Sequence, residues 1–257
     1  MMNAIRNHSE DAKVSVVMTS YNGERFIREQ IDSILPNLDE QDELLIGDDG
    51  SSDSTLDILR QYEENDARIH IFQSQHLGTT GNLEALLKRC SGDIIFLCDQ
   101  DDRWEQTKVR DVCADFEAHP EIDLVFHNAK VSTSDINDIT YPSLFEYLSP
   151  SNHFFKNVLR FHFWGCMFAV RRSALRYLLP FRFGFDSWMM FCATFFHRCY
   201  LDESILMTYR RHGGNLSTFK RRSMLTVLKA HLGRLAVFFV YLPVTYARFV
   251  GRKKDAR

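Results

Sequence analysis

The stretch that decides the fold is Ile94-Ile95-Phe96-Leu97-Cys98-Asp99-Gln100-Asp101-Asp102-Arg103-Trp104. Its apolar part has no helical period, which predicts a β-strand buried on both faces. The acids therefore follow the carboxyl end of a strand, the edge at which open α/β sheets bind ligands. Carboxylate oxygens grouped there suit Mg²⁺ or Mn²⁺ better than zinc. A plain polar turn is the alternative interpretation of these acids taken alone.

Strand patterns and helix patterns alternate along the first part of the chain. Runs of β-branched and apolar residues predict strands at 13–19, 43–47, 68–73 and 94–98, with further strands at 122–127 and 163–171. Apolar residues at helical spacing follow each of the first three runs. This alternation predicts a parallel, right-handed, doubly wound sheet of nucleotide-binding type. The polar loops after Thr19, Gly47 and Cys98 then share one sheet edge and can converge on one ligand.

The sequence has no glycine-rich phosphate loop, neither Gly-x-Gly-x-x-Gly after the first strand nor Gly-x-x-x-x-Gly-Lys-Ser/Thr anywhere. A diphosphate bound at this sheet edge would need a cation to neutralise it instead. Asp99, Asp101 and Asp102 are the candidates to hold that cation.

Cysteine and charge usage limit the class of protein. The six cysteines form no Cys-x-x-Cys pair, so neither a zinc site nor a disulfide framework is favoured, and a reducing cytosol fits. The polar residues 1–11 lack the apolar core of a signal peptide.

The net charge of −3 divides into −12 before residue 220 and +9 from there onward. A basic segment on an acidic body indicates an anionic partner.

Residues 220–257 form this basic segment, which is predicted to be helical. Its apolar part, 235–250, is interrupted by Pro243 and Arg248 and so falls short of the roughly 20 uninterrupted residues of a spanning helix. We expect it to lie on anionic lipid at the inner face of the cell membrane. The alternatives are packing on the rest of the chain or pairing in a homodimer. Nucleic acid is not an expected partner, because no aromatic-basic motif accompanies the charge.

Five motifs in fixed order resemble those of the family 2 inverting glycosyltransferases, most closely bacterial rhamnosyltransferases of surface-polysaccharide synthesis. They are Val14-Ser15-Val16-Val17-Met18-Thr19-Ser20-Tyr21-Asn22-Gly23, Asp48-Asp49-Gly50-Ser51-Ser52-Asp53, Cys98-Asp99-Gln100-Asp101-Asp102-Arg103-Trp104, Phe185-Asp186-Ser187-Trp188 and Tyr209-Arg210-Arg211-His212-Gly213-Gly214-Asn215. The resemblance implies an α/β fold of GT-A type, a Rossmann-like, mostly parallel nucleotide-binding sheet flanked by helices. The catalytic domain would cover 13–219, with a polar tail at 1–12 and a C-terminal helical appendage at 220–257.

The same resemblance implies a role for each matching residue. The donor nucleotide would be bound by Thr19, Tyr21, Asp49, Asp99 and Asp101. The sugar or acceptor pocket would be lined by Gly165, Cys166, Met167 and Trp188. The diphosphate would be bound by Arg210, Arg211 and His212. A divalent metal, Mg²⁺ or Mn²⁺, would be held by Asp101 or Asp102, with His212, and Asp186 would be the catalytic base.

Several of these residues also have a purely structural interpretation. Tyr21 can pack, Asp49 and Asp186 can cap helices, and His212 can be a core or loop histidine. The sequence departs from the family at Phe185, where His or Glu often precedes the catalytic Asp. An apolar neighbour buried with Asp186 would raise its pKa and make it a stronger base.

The expected function is transfer of a sugar from a nucleoside diphosphate donor, dTDP-rhamnose or a UDP-hexose, to a hydroxyl of a polysaccharide or lipid-linked glycan. The alternative is a non-catalytic protein of the same fold that binds a nucleotide sugar or acts as a scaffold. A hydrolase that uses paired carboxylates is disfavoured by the nucleotide-type sheet.

Overall fold

The computed structural model describes residues 12–159, 163–215 and 224–255. The strands are β1 Val14–Ser20, β2 Glu43–Asp48, β3 Ile69–Gln73, β4 Ile94–Asp99, β5 Arg103–Trp104, β6 Leu124–Ser132, β7 Ile139–Tyr141, β8 Phe168–Arg171 and β9 Cys199–Arg210. The helices are α1 Ile27–Ile34, α2 Thr55–Asn65, α3 Gly78–Leu87, α4 Lys108–Ala118, α5 Leu144–Leu148, α6 Phe154–Leu159, α7 Leu175–Leu178, α8 Phe185–Phe195 and α9 Met224–Asp255. Apart from Ala12, the predicted polar tail lies outside the described residues, as do residues 220–223 and 256–257 of the basic segment.

The strands form one mixed sheet in the order β3-β2-β1-β4-β8-β6-β9-β5, with β7 added beside β6. The first four strands of that order are parallel to one another. Strand β8 runs antiparallel between β4 and β6, and β9 runs parallel to β6. The prediction of a mostly parallel α/β sheet is confirmed, although the antiparallel β8 interrupts the doubly wound pattern.

Burial explains why the central strands are apolar without alternation. Every residue of β2 is buried, as are nearly all residues of β1 and β4, so both faces of these strands are covered. Two predicted boundaries are wrong. The strand expected over 163–171 begins only at Phe168, because Gly165–Met167 form a 3₁₀ turn. The strand expected to end at His127 continues to Ser132, where it pairs with β9.

The sheet order places three polar loops side by side. Thr19 near the end of β1 pairs with Gly47 on β2 and with Asp99 on β4. Because β2 and β4 lie on opposite sides of β1, the strand order reverses there and a crevice opens at the carboxyl ends of β1 and β4. Strand β9 reaches the same edge, since Thr208 pairs with Arg103 just after the acidic turn.

Helix α9 packs on the sheet domain, residues 12–215, through aromatic side chains. The fully buried Phe238 contacts Phe154 of α6 and Phe191 of α8. Further along the helix, Phe249 stacks on Phe196 with ring centroids 4.3 Å apart. One face of α9 therefore belongs to the hydrophobic core.

Helix α9 is also continuous. Pro243 lies inside it and does not end it. Among the described residues, Leu232–Gly251 is the one stretch long and apolar enough, by length and composition, to cross a membrane. The expectation that Pro243 and Arg248 leave the segment too short is therefore corrected.

Phe238→Ala is expected to lower the free energy of unfolding by about 3–5 kcal/mol, because it leaves a cavity in this aromatic cluster. Its neighbour Phe239 is 47% exposed, so Phe239→Ala is the matched control and should cost under about 1 kcal/mol. Chemical denaturation monitored by fluorescence measures both. Equal losses for the two variants would contradict the docking of α9 through Phe238.

Candidate active site

A cavity of about 620 Å³ opens at the carboxyl ends of β1, β2 and β4. Its lining is drawn from segments far apart in the sequence: Thr19, Ser20, Tyr21, Asp49, His76, Gly78, Thr79, Asn82, Asp99, Gln100, Asp101, Trp164, Gly165, Phe185, Asp186, Tyr209, Gly214 and Asn215. The volume is in the range of pockets that bind small ligands and cofactors. The loops predicted to converge therefore do line one cavity.

The side chain of Gln100 holds the loop after β1 against the acidic turn. Its amide oxygen accepts from the backbone N–H of Tyr21 and its amide nitrogen donates to the carbonyl of the same residue, both at 2.9 Å. Gly23 makes room for this contact, since a Cβ there would lie 2.2 Å from the Gln100 amide oxygen. The Tyr21 ring is left half exposed, edge-on to His76 with ring centroids 6.5 Å apart.

Asp49 ties the loop after β2 to the start of α3. Its carboxylate accepts hydrogen bonds from the hydroxyl of Ser74 at 2.8 Å and from the backbone N–H groups of Leu77 and Gly78 at 2.8 and 2.7 Å. Burial opposes ionisation, but these hydrogen bonds outweigh it and hold the pKa of Asp49 below its usual range. The carboxylate thus caps a helix N-terminus while it lines the cavity.

The acids after β4 occupy unlike environments. Asp99 lines the cavity, and burial together with the nearby charge of Asp101 raises its pKa to about 7. Asp102 is fully buried and does not line the cavity. Burial and the charges of Asp101 and Asp99 raise the pKa of Asp102 well above the usual carboxyl range. Its Oδ1 accepts from the Arg210 backbone N–H at 3.0 Å, whereas no N–H or O–H group of the described residues donates to its Oδ2.

Asp101 is bound by the loop that follows β9. Its Oδ2 lies 2.7 Å from His212 Nε2 and 3.2 Å from Asn215 Nδ2. The backbone N–H of Gly214 donates to His212 Nδ1 at 3.1 Å, so Nε2 carries the imidazole proton and donates to Asp101. Phe26 packs against the imidazole with ring centroids 4.6 Å apart. The carboxylate and the imidazole therefore face each other.

These residues fit a hard divalent cation. Donor atoms of Asp99, Asp102 and Cys166 lie within 4.8 Å of one another, and the Oδ2 of Asp102 is a buried acceptor that a cation could satisfy. Burial raises the pKa of the Cys166 thiol well above its usual range, so this sulfur is a poor ligand. Carboxylate oxygens with one imidazole suit Mn²⁺ or Mg²⁺ better than a soft metal.

Asp186 also lines the cavity, from the first turn of α8. Burial raises the pKa of its carboxyl, although hydrogen bonds from the backbone N–H and hydroxyl of Ser187 to Oδ1, at 2.6 and 2.9 Å, oppose that rise. Phe185 fills the space beside Gly165, where a Cβ would lie 2.0 Å from the Phe185 ring. The two segments therefore approach each other closely, directly beside Asp186.

Lys108 on α4 is a buried cation that sequence reasoning missed. Its Nζ lies 3.4 Å from the carbonyl oxygen of Cys166, 3.6 Å from Met207 Sδ and 3.9 Å from the centre of the Trp104 ring. Burial lowers its pKa to about 8, while neighbouring thiols and carboxyls oppose that change. Its position at the start of a helix carries no signal of burial, since lysines there are ordinarily exposed.

A family model described as glycosyl transferase family 2 matches residues 15–179. The chain belongs to this family. The matched region begins in β1 and ends just after α7, and it contains the loops after β1, β2 and β4 that line the cavity.

Two curated relatives are sugar transferases by name. A dTDP-rhamnosyl transferase of Shigella flexneri is 28% identical over 77% of this chain and 72% of its own length. A UDP-Glc:alpha-D-GlcNAc-diphosphoundecaprenol beta-1,3-glucosyltransferase of Escherichia coli is 37% identical over 39% of this chain and 39% of its own length. The matched part of the chain spans between 38% and 66% of the length of three other curated relatives.

Solved structures share the fold at low sequence identity. A mannosyltransferase from Pyrobaculum calidifontis, in complex with GDP-Man and Mn²⁺, matches 95% of this chain and 75% of its own, with a TM-score of 0.62 and 17% identity. The likeness confirms the predicted GT-A-type fold.

The structure brings some of the predicted site residues to the cavity and keeps others away. Those that line it are Thr19, Tyr21, Asp49, Asp99, Asp101, Gly165 and Asp186. Those outside the lining are Asp102, Cys166, Met167, Trp188, Arg210, Arg211 and His212. Trp188 lies in the core, where its indole N–H donates to the carbonyl of Leu178 at 2.7 Å. His212 reaches the site through Asp101.

The side chain of Arg210 bonds to other residues of the protein. Its guanidinium donates to the carbonyls of Asp101 and Ser134 at 2.8 and 2.9 Å. It also pairs with Glu29 and lies over the Phe26 ring. The side chain therefore supports the acidic turn from behind and does not face the cavity.

The cavity also contains residues that sequence reasoning did not select. They are His76, Asn82, Trp164 and Tyr209, among others of the lining. Ser20, Gln100, Gly214 and Asn215 of the lining also lie in the quoted motifs, and of the four residues named above Tyr209 opens the motif that contains His212. The other three lie in segments whose place beside the cavity is set by packing.

Gly165→Ala is expected to lower turnover at this cavity by about 10²-fold, because the new methyl group displaces Phe185 and with it Asp186. Gly233→Ala is the matched control, since nothing lies within 4 Å of a Cβ at that position. Turnover and melting temperature are measured for both. Wild-type turnover in Gly165→Ala would contradict a tight Gly165–Phe185 contact.

Asp99→Asn is expected to change how stability depends on pH. The pKa of Asp99 is raised to about 7, so the stability linked to its neutral form is fully present below the ordinary carboxyl pKa and is lost as pH rises through about 7. With chelator present, the melting temperature of the variant should therefore rise relative to wild type between about pH 4 and about pH 7. Asp57→Asn, at an exposed acid of α2, is the control. A pH-independent difference for Asp99→Asn would contradict the raised pKa.

Proposed function

We propose that the protein is an inverting glycosyltransferase that moves a sugar from a nucleoside diphosphate to an acceptor hydroxyl. The observation that carries this proposal is that one cavity is lined by carboxyl groups of two kinds. Asp99 and Asp101 belong to the acidic turn after β4, where the donor atoms of Asp99 and the buried Asp102 lie close together, and Asp186 is a separate carboxyl on α8. A cation at the acidic turn would stabilise a diphosphate leaving group, and the carboxyl of Asp186 suits a general base.

The donor nucleotide would bind over the loops after β1 and β2. The exposed rings of Tyr21 and His76 line this part of the cavity and suit packing against a nucleobase. We assign Thr19, Asp49 and Asp99 to the base and ribose, since they line the same cavity at adjacent strand ends. The match to a dTDP-rhamnosyl transferase supports dTDP-rhamnose as donor, with a UDP-hexose as the alternative.

A divalent ion, Mn²⁺ or Mg²⁺, would be held by Asp101 and His212, whose Oδ2 and Nε2 face each other. Of the two adjacent acids we assign Asp101 as the ligand on the cavity side, because it lines the cavity, whereas Asp102, whose donor atom groups with those of Asp99 and Cys166, is buried behind it. Coordination by Nε2 requires its proton to leave, so the hydrogen bond from Gly214 to Nδ1 would be given up. When bound, the ion would neutralise the diphosphate and stabilise it as a leaving group. The Mn²⁺ in the Pyrobaculum calidifontis mannosyltransferase supports this choice of metal.

Asp186 would accept the proton of the acceptor hydroxyl. Ser187 directs both of its donors to Oδ1, so we assign proton acceptance to Oδ2. The hydroxyl oxygen then forms a bond to the anomeric carbon while the bond to the diphosphate oxygen breaks and its electron pair leaves with the nucleoside diphosphate. The raised pKa of Asp186 strengthens it as a base as long as it stays ionised. Inversion follows because attack and departure occur on opposite faces of the sugar.

The acceptor is proposed to be a hydroxyl of a polysaccharide or a lipid-linked glycan. The name of the Escherichia coli relative, which specifies a diphosphoundecaprenol-linked sugar, supports this class. A lipid-linked acceptor lies at a membrane, so we place the protein in the cytoplasm at the inner face of the cell membrane. A non-catalytic sugar-binding role is disfavoured, since Asp186 and the acidic turn are all in place.

Asp186→Asn is expected to retain donor binding and to lose transfer by about 10²–10⁴-fold, the usual contribution of a general base. Asp57→Asn is the matched control, since Asp57 is also an acid in the first turn of an 11-residue helix. The assay is nucleoside diphosphate release across a panel of dTDP-rhamnose and UDP-hexoses, with Mn²⁺ or with chelator. Near-normal turnover would remove Asp186 from this role, and no release from any donor would refute the proposed function.

A further inference from the structure

Helix α9 is apolar on two faces, and the sheet domain covers only one of them. The covered face carries Phe238, Thr245 and Phe249, each less than a tenth exposed. Arg248 adds a polar anchor at the end of this contact, donating to the carbonyl of Leu179 at 2.6 Å. A helix that is apolar all round is normally buried all round.

The uncovered face forms a continuous apolar stripe, which we call the outer stripe. Its residues recur at helical spacing and are all exposed: Leu232, Ala236, Phe239, Val240, Pro243, Val244 and Ala247. The most exposed of its large side chains is Val240, at 71%. The stripe is about 22 Å long, from the rise of an α-helix.

A further exposed aromatic residue extends this surface. Phe155 of α6 is 75% exposed, and its ring contacts that of Phe154, which in turn contacts Phe239 of the outer stripe. Surface clusters of large apolar side chains mark sites of protein or membrane contact. The outer stripe with Phe155 is therefore an interaction surface.

The charges around the stripe select its partner. Residues 224–254 contain no acid, whereas in the sequence Lys220, Arg221, Arg222 and Lys229 precede the stripe and Arg252, Lys253 and Lys254 follow it. Two copies of such a face would bring like charges together. An anionic bilayer offers the opposite charge and an apolar layer for the stripe.

We propose that the outer stripe binds the surface of an anionic bilayer, with α9 parallel to the membrane plane. A spanning orientation would strip Phe238 and Phe249 from the core, where they are buried against α6, α7 and α8. The helix therefore inserts one face at the level of the lipid headgroups and keeps the other on the protein.

This placement links the cavity to the membrane. Helix α8 carries Asp186 at its first turn and packs Phe191 and Phe195 against Phe238, so the proposed base and the outer stripe are joined by one aromatic cluster. The delivery of a lipid-linked acceptor to Asp186 rests on the proposed function. The docking itself does not.

The experiment is cosedimentation with phosphatidylcholine vesicles, with and without phosphatidylglycerol, in the absence of donor and acceptor. Wild-type protein should bind only the anionic vesicles, and salt should weaken binding. Val240→Glu should lower affinity by at least about tenfold, because it removes apolar area and places a charge in the interface. Tyr147→Glu is the matched control, since Tyr147 is a half-exposed aromatic residue of α5 outside the stripe.

The electrostatic contribution is measured with a second pair of variants. Lys254→Glu reverses one charge of the basic segment and should lower affinity by at least about fivefold. Arg60→Glu, at an exposed position of α2, should leave affinity unchanged. The melting temperature of every variant is compared with that of wild type, so that lost binding is distinguished from lost folding.

Three results would overturn the proposal. Equal vesicle binding by Val240→Glu and Tyr147→Glu would remove the stripe from the interface. A wild-type dimer that Val240→Glu converts to monomer, measured by light scattering, would assign the stripe to a second copy of the chain. Retention in membranes after alkaline carbonate extraction would show that the helix spans the bilayer. Because no donor is present, each outcome is independent of the transfer assay.

Discussion

Electrostatic repulsion among the carboxylates that follow β4 is the constraint on which the cavity depends. Strand β4 is buried on both faces, so its end delivers Asp99, Asp101 and Asp102 to a short turn that cannot open fully to water. Burial of like charges is unfavourable unless each is protonated, hydrogen-bonded or paired with a cation. The Arg210 backbone N–H donates to Asp102, and His212 Nε2 lies against the carboxylate of Asp101, so the protein offsets part of this unfavourable burial. A bound divalent ion would offset the rest, which is why the turn suits one.

The return of the chain through β9 makes that arrangement possible. Strand β9 ends beside the acidic turn, and the next five residues place His212 and Asn215 on Asp101. The same strand buries Arg210, whose guanidinium donates to the Asp101 carbonyl and supports the turn from behind. The motif at 209–215 thus holds the acidic turn of the motif at 98–104 in place, although the two are more than a hundred residues apart in the sequence.

Sequence patterns predicted the βα series, the mostly parallel sheet and the convergence of three strand ends, because each depends on local periodicity. They failed where burial is set by distant segments. Trp188 follows Asp186 by two residues, and only the packing of α8 shows that its indole points into the core. Lys108 is buried among the side chains of Trp104 and Met207 and the backbone carbonyl of Cys166, three segments that no local pattern brings together. Pro243 does not end α9, which is anchored on the sheet domain both before and after the proline.

The sequence by itself determined that acids follow a buried strand and that polar loops meet at one sheet edge, because strand burial and the order of βα units are encoded locally. Only the tertiary structure decided which acid faces the cavity. Asp101 and Asp102 are adjacent and chemically identical, so no pattern distinguishes them. The pairing of β5 with β9 turns Asp102 inward to the Arg210 N–H and leaves Asp101 at the cavity wall beside His212. Which of the two acids faces the cavity therefore depends on hydrogen bonds between residues far apart in the sequence, and local sequence patterns do not reveal such bonds.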